Sequence, residues 1–289
     1  MARSSSSRRK TPPTLFNVMV VGASGSGKSS FVNTFLDSLQ PHVDHEAQTP
    51  FHRYPSTQEI VSRKVTTVSQ GTSLVLNFID TPGFEEHQAL EEGREGPVLE
   101  YVKRLLLLRF QEETRLSRST RPKEEQVHAC LFFVQPGLVR LSEAELAFAK
   151  KLSKYVNVIP VIGKADRYTV SELREMKAVI QRDFRDHSIP TYDFPDDEDQ
   201  DEDDESHQQN QRLRRVLPFS VVSSEPSQPR KQDGTKVLGR EYSWGIVECF
   251  NPSHSDMSSL RQALLETHLY SLKEKTYLQL YEDYRTEKL

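Results

Sequence analysis

A lysine and a serine stand directly behind three glycines in Gly22-Ala23-Ser24-Gly25-Ser26-Gly27-Lys28-Ser29. The spacing fits G-x-x-x-x-G-K-[ST], a pattern that cradles phosphate. Glycines let the backbone turn tightly around an anion, so that successive N–H groups point inward at it. Gly22, Ser24, Gly25, Ser26 and Gly27, with Ser30 at the head of the following helix, are the candidate phosphate contacts. Lys28 would reach the β- and γ-phosphates and Ser29 would bind Mg²⁺, while the helix directs the positive end of its dipole at the triphosphate. A plain Gly/Ser-rich turn is the alternative. The apolar run Leu15 to Val21 before the loop and the helix-compatible Phe31 to Leu39 after it supply the strand–loop–helix context that favours phosphate.

Two further elements sit at the ends of apolar runs. Asp80-Thr81-Pro82-Gly83 follows Ser73 to Ile79. In such a D-x-x-G element Asp80 can hold Mg²⁺ through a water and the Gly83 N–H can bond the γ-phosphate, so that loss of this phosphate releases the loop. Gly163-Lys164-Ala165-Asp166 follows Val156 to Ile162 and occupies the place of N-K-x-D. There a carboxylate can accept from guanine N1–H and from the exocyclic amine, a pair of donors that adenine lacks on that edge. A site built around this acceptor rejects the wrong base because the carboxylate would be left unpaired. An ordinary helix N-cap is the alternative for Asp166. Phe84 stands after Gly83, where many GTPases place a glutamine that positions the attacking water, and this predicts slow hydrolysis. The hydroxyl that completes the Mg²⁺ shell is expected from Thr57, with Thr49, Thr66 and Thr67 as rivals.

The elements that must position these groups alternate along the chain. A hairpin is expected over Gln58–Ser69 and Ser73–Ile79, helices over Val98–Phe110, Ser142–Ser153 and Ser171–His187, and strands over Val127–Val134, Val156–Ile162 and Leu217–Val222. Ser171 is the expected N-cap of its helix. Alternation of this kind predicts an α/β fold in three layers, with a mainly parallel sheet covered on both faces. Residues 1–14 are Ser-, Arg- and Pro-rich and read as a disordered basic tail, with docking on anionic lipid as the functional alternative. Gln40 to Ser56 reads as a loop, in which His42, His45 and Glu46 lack a third ligand for a metal. Residues 196–211 read as a solvated acidic insertion without structure of its own. Thr235 to Phe250 reads as a hairpin bearing Trp244. Asp256 is expected to cap a long helix with Leu260, Leu264, Leu265, Leu269 and Leu272 at helical spacing, and the charged Tyr277 to Leu289 reads as helical too.

Composition narrows the classes. Among 289 residues, 42 acidic side chains face 38 basic ones, and nine of the acids lie between Asp196 and Glu205. Setting those nine aside leaves 38 basic against 33 acidic, a mildly basic body that permits an anionic surface as partner. Two cysteines, Cys130 and Cys249, supply neither a disulfide framework nor a zinc site and fit a reducing setting. The N-terminal residues lack the apolar core of a signal peptide, and Leu105 to Leu108, fenced by Arg104 and Arg109, is too short to span a bilayer.

Taken together the motifs resemble those of the septins, a family of Ras-like P-loop GTPases, from about Leu15 to Leu289. GASGSGKSS resembles the septin P-loop, DTPGF its second switch, and GKAD is similar to its AKAD. Gly239-Arg240-Glu241-Tyr242-Ser243-Trp244-Gly245-Ile246-Val247-Glu248 resembles the septin unique element GRxYPWGxxE, and LRQALLETHLYSLKEKTYLQLYEDYR looks like the septin C-terminal helices. The resemblance implies a G domain over 15–289, with the unique element at 235–250 and C-terminal helices at 256–289. It implies GTP or GDP with Mg²⁺ as ligands, held through Ser29, Asp80 and Thr57, the last matched by ungapped counting from Asp80 to the switch threonine of hydrolysing septins. Thr57 and Gly83 become the candidate catalytic residues. Lys164, Asp166, Ser223 and Arg240 would surround the base, with Arg240 packing on it and Trp244 behind at an interface. The implied partners are other septin-like subunits in filaments, and anionic membrane lipids, but not nucleic acid. The implied location is cytoplasmic, cytoskeletal and peripheral at the cell cortex or division septum.

The chain also departs from that pattern. Gln135-Pro136-Gly137-Leu138 is shorter than the septin loop and lacks its Gly-His pair. Ser223 stands for a Gly near the base, Arg167 for the Thr after AKAD, and Gln126 for the Arg before Val-His. No heptad run long enough for a coiled coil occurs within the 289 residues. Two other classes share the P-loop: a stand-alone signalling GTPase, against which stand the unique element and the C-terminal helices, and a nucleotide kinase, which has no need of GKAD.

Overall fold

The computed structural model describes residues 13–39, 59–69, 71–84, 96–115, 125–134, 140–196, 205–231 and 233–289. Its centre is a six-stranded sheet made of β1 (Thr14–Gly22), β2 (Val61–Ser69), β3 (Thr72–Asp80), β4 (Ala129–Val134), β5 (Val158–Ile162) and β6 (Phe219–Ser220). The order across the sheet is β2-β3-β1-β4-β5-β6. Only β2 runs antiparallel, paired to β3 from Val61↔Asp80 to Ser69↔Thr72, as the expected hairpin requires. The other contacts are parallel, so the ends of β1, β3 and β5 emerge on one edge at Gly22, Asp80 and Ile162. In open parallel sheets the crevice outside these carboxyl ends is where ligands bind.

Side-chain alternation builds the layers. Along β1, Phe16, Val18 and Val20 join one core with helix α1 (Lys28–Leu39) and the first C-terminal helices. Met19 and Val21 join the other, with α2 (Pro97–Thr114), α3 (Glu143–Leu152) and α4 (Val170–Asp186). Each large apolar side chain fully buried in this way stabilises the fold by about 1.5–3 kcal/mol. The helical tail runs through α6 (Met257–Gln262), α7 (Leu269–Lys275) and α8 (Tyr281–Lys288), joined by π-helical segments Ala263–Thr267 and Thr276–Leu280. Its predicted leucine stripe is buried throughout, while Tyr281 and Tyr284 pack in the opposite core. The tail therefore passes around the edge of the sheet opposite the strand ends named above.

Several local expectations differ from the structure. The insertion expected to be structureless over 196–211 contains the start of helix α5 (Glu205–Val216), held by buried Asn210 and Leu213. Asn210 Nδ2 donates to Asp196 Oδ1 at 2.9 Å, and Arg214 donates to Asp196 Oδ2 at 2.7 Å, so the helix is tied to the chain that precedes the acidic run. The N-cap of α4 is Thr169, not Ser171, because the glutamate that completes a capping box lies three residues after Thr169 at Glu172. Asp256 precedes α6 but makes no side-chain cap; its carboxylate accepts instead from Ser220 N and Lys177 Nζ, each at 2.8 Å. Ladder pairing of β6 is confined to Phe219–Ser220, shorter than Leu217–Val222. The expected hairpin narrows to β7 (Gly239–Tyr242) and β8 (Gly245–Glu248). No helix among the described residues is long and apolar enough to cross a membrane.

Candidate nucleotide site

The glycine loop leaves β1 at Gly22 and enters α1 at Lys28. Gly25 and Gly27 hold φ of 75° and 102°, a backbone region that side chains disfavour. Gly83 approaches this loop so closely that a Cβ on it would lie 2.4 Å from Ser24 Cα. A Cβ on Gly163 would lie 2.3 Å from Ser26 O. Three strand ends thus converge on one loop with no room for a side chain between them.

Lys28 is buried, and its Nζ donates to Gly22 O and Ala23 O at 2.8 Å each. Burial lowers its pKa to about 8, against the pull of the Asp80 carboxylate. Asp80, at the end of β3, accepts from Ser29 Oγ through Oδ2 at 2.6 Å, while its Oδ1 is buried without a hydrogen-bond partner. Burial raises the Asp80 pKa, and Ser29, Lys28 and Arg63 oppose that rise. Ser26 Oγ is also buried and unpartnered, Ser24 and Gly25 are exposed at the loop tip, and Ser30 lies exposed on α1. Unpaired buried oxygens are uncommon and need a reason; two of them lie on this side of the cleft. A carboxylate and a hydroxyl meeting at one point form an oxygen donor set of the kind Mg²⁺ takes, and the loop amides and Lys28 suit phosphate.

The side of the cleft lined by Lys164 and Asp166 is assembled from more distant parts. Lys164, at φ 53°, lays its stem over Gly27, where a Cβ would meet Lys164 Cγ at 3.7 Å. Its pKa is lowered by burial first, with Arg167 and Arg240 adding to the effect. Asp166 falls in a short 3₁₀ turn, Ala165–Arg167, rather than at an N-cap. Its side chain is 2 % exposed; Oδ2 accepts the Tyr242 hydroxyl and lies 3.7 Å from Arg240 Nε, and Oδ1 has no partner. Ser223 is buried beyond β6, and its neighbour Ser224 pins the hairpin by accepting from Gly239 N at 3.0 Å. Trp244 is 70 % exposed with its ring stacked on Tyr242 at 5.1 Å.

The structure thus brings Gly22, Ser24, Gly25, Ser26, Gly27, Lys28, Ser29, Asp80, Gly83, Lys164, Asp166 and Arg240 around one cleft, with Ser30 and Ser223 at its margins. Thr57, its rival Thr49, the His42–Glu46 group and the Gln135–Leu138 loop lie outside the described residues. Phe84 continues the contact of Gly83 with the loop: its N–H donates to Gly22 O at 3.4 Å and its ring packs on Phe148 at 5.1 Å. Sequence reasoning did not anticipate the Tyr242–Asp166 contact. The two residues are 76 positions apart, and only the pairing of a hairpin with a strand-end loop brings them together.

A mainly parallel sheet, a glycine loop leading into α1 and acidic side chains after β3 and β5 define a P-loop nucleotide-binding domain. Comparison with known proteins specifies the class. The septin family model matches residues 13–289. The chain is 36% identical to septin homolog spn3 of Schizosaccharomyces pombe, over 94% of this chain and 72% of that protein. It is 37% identical to cell division control protein 11 of Saccharomyces cerevisiae, over 95% of this chain and 66% of that one. Neuronal-specific septin-3 of Bos taurus is also 37% identical, over 98% of this chain and 78% of that protein. The crystal structure of Cdc11 from Saccharomyces cerevisiae superposes with a TM-score of 0.58 at 31% identity, over 95% of this chain and 100% of that one. The chain belongs to the septin family of GTP-binding proteins.

Proposed function

We propose that the protein is a filament subunit that binds GTP or GDP in the cleft between the P-loop and hairpin β7–β8, and that the nucleotide shapes a subunit interface there. The observation that carries this reading is the placement of Arg240 beside Asp166 on a hairpin whose Trp244 is exposed. A base bound at Asp166 would lie between the nucleotide loops and the surface that offers Trp244. Aromatic side chains and arginine are the residues that most often anchor protein interfaces.

In this reading Lys28 and the amides of Gly25 to Ser29 hold the phosphates, and Asp166 selects guanine through its carboxylate. Mg²⁺ would be held by Ser29 and by Asp80 through water, with Thr57 completing the set, and would supply charge neutralisation at the phosphates. A polyanion beside Lys28 stabilises its protonated form, and a cation beside Asp80 stabilises its carboxylate, so both ligands offset the cost of burying these groups. Gly83 bonds the γ-phosphate through its N–H. Phe84 packs into the apolar core and offers no group to orient water, so hydrolysis is slow. Other septin-like subunits are the partners, and the basic residues Arg8, Arg9 and Lys10 give the assembly an attraction for anionic lipid at the cell cortex.

The test is to purify the chain alone and with co-expressed septins, release and identify the bound nucleotide, and examine the particles by electron microscopy at high and low salt. Guanine nucleotide and rods that lengthen at low salt are expected. Monomers at every salt and with every partner would refute the filament role, and a preference for adenine nucleotides would refute the base assignment.

A further inference from the structure

Asp166 has one oxygen engaged and one not. Oδ2 accepts the Tyr242 hydroxyl, whereas Oδ1 is buried without a hydrogen-bond partner. Backbone bonds fix the turn around it, from Ala165 N to Val221 O at 3.1 Å and from Tyr168 N to Ala165 O at 3.2 Å. They leave the carboxylate free to rotate, since the terminal torsion of an aspartate is broad. Arg240 does not fix it either: its Nε lies 3.7 Å away, beyond a hydrogen bond, on a side chain 38 % exposed. The phenol of Tyr242 is the group that sets its orientation.

That phenol is itself well held. Its ring stacks on Trp244 with an interplanar angle of 3°, and Tyr242 pairs with Gly245 across the hairpin. The hairpin is anchored at its base, where Glu225 N donates to Gly239 O at 3.0 Å and Cys249 N to Leu238 O at 2.8 Å. A Cβ on Gly239 would lie 2.4 Å from Val247 O, so the two strands meet there with no spare room. Burial and the neighbouring carboxylate both raise the Tyr242 pKa, which keeps the hydroxyl a donor at neutral pH.

We propose that Tyr242 is a positioning residue for base recognition: by donating to Asp166 Oδ2 it aims Oδ1 at the base, so that selectivity for guanine depends on the hairpin as well as on the Gly163–Asp166 loop. The inference rests on the guanine-nucleotide reading above. Guanine presents two donors, N1–H and the 2-amino group, and only a carboxylate of fixed orientation accepts both. A freely turning carboxylate still accepts one, which is all that hypoxanthine offers. The surface hairpin therefore takes part in choosing the base.

The experiment measures the affinities of GDP, IDP and XDP for the full chain by titration calorimetry, in the wild type, Tyr242→Phe and Asp166→Asn. Tyr242→Phe keeps the ring and its stack and removes only the donor. Loss of one hydrogen bond to a charged group is expected to weaken GDP roughly tenfold. IDP should weaken much less, so the GDP-to-IDP ratio falls. A purely structural role through the stack leaves that ratio at the wild-type value, and this result overturns the proposal. Should the phenylalanine variant fail to fold, Tyr242→Leu removes ring and donor together, and an unchanged GDP-to-IDP ratio in it likewise overturns the proposal. Asp166→Asn should transfer the preference to XDP, whose C2 carbonyl accepts from the amide. If it does and the Tyr242→Phe ratio is unchanged, only the role of Tyr242 fails; if Asp166→Asn still prefers GDP, the base assignment itself fails.

Discussion

The phosphate side of the cleft is buried and made from strand ends, with Gly83 and Gly163 pressed against the loop and Lys28 and Asp80 enclosed. On the base side, a 3₁₀ turn meets a surface hairpin, and Arg240 remains 38 % exposed. The contrast shows where tolerance lies. A backbone cradle with no spare volume resists any change, whereas side chains on a hairpin can be exchanged without disturbing the sheet. The hairpin side is therefore the half in which side chains can change without moving the sheet, and Arg167 and Ser223 lie there.

Perturbing the two halves in turn tests this difference. The largest effect is expected for Lys28→Ala, which should reduce GDP and GTP affinity by about 100-fold or more, since a buried charge facing phosphate is lost. Arg240→Ala should cost only about three- to tenfold, as its charge is partly screened by solvent. Calorimetry on both variants decides; a larger loss at Arg240 would reverse the ranking of the two halves. Gly83→Ala should destabilise the fold by about 1–3 kcal/mol, because its Cβ meets the Ser24 backbone at 2.4 Å. Gly96→Ala, with open space around it, should stay within about 0.5 kcal/mol in the same denaturant titration.

The pH dependence also separates the halves. With Lys28 brought down to about 8, its ammonium is present below that pH and lost above it. Phosphate binds the charged form, so GDP affinity should hold below about pH 8 and fall above it, by up to about tenfold per pH unit. In Lys28→Met the remaining affinity should lack this fall; an unchanged profile would remove Lys28 from the phosphate side. Trp244→Ala should likewise stay within about 0.5 kcal/mol in thermal or denaturant unfolding, because the ring is largely solvated. The same variant should lose assembly in sedimentation; intact rods would detach the hairpin from the interface.

What could be read from the chain follows the same division. The P-loop occupies eight consecutive residues, so its chemistry is local and legible. Asp80 and Asp166 were legible because apolar runs end just before them, and a parallel sheet brings such ends together. Tyr242 was not, since no local rule links it to a carboxylate 76 residues away. Helix α5 was misread because its Gln- and Arg-rich sequence looks solvated, although Asn210 and Leu213 bind it to the body. The opposite edge of the sheet held another surprise. Asn77 donates to Asn17 and Asn17 to Gln126 O, at 3.0 and 2.8 Å, across runs that read as apolar. Beside them Asn157 Nδ2 donates to His128 O, Leu272 O and Thr276 Oγ1, fastening the C-terminal helices to β4 and β5. Polar residues within apolar runs carry no sign of their partners until the strands are aligned.

The central claim is that the cleft holds a guanine nucleotide through Asp166. Competition between GDP and ADP for the purified chain, followed by displacement of a fluorescent GDP analogue, tests it most directly. GDP should displace the probe at a concentration at least about 100-fold lower than ADP, the discrimination expected of a site whose carboxylate is paired by one base and left unpaired by the other. Equal displacement by the two nucleotides would contradict it.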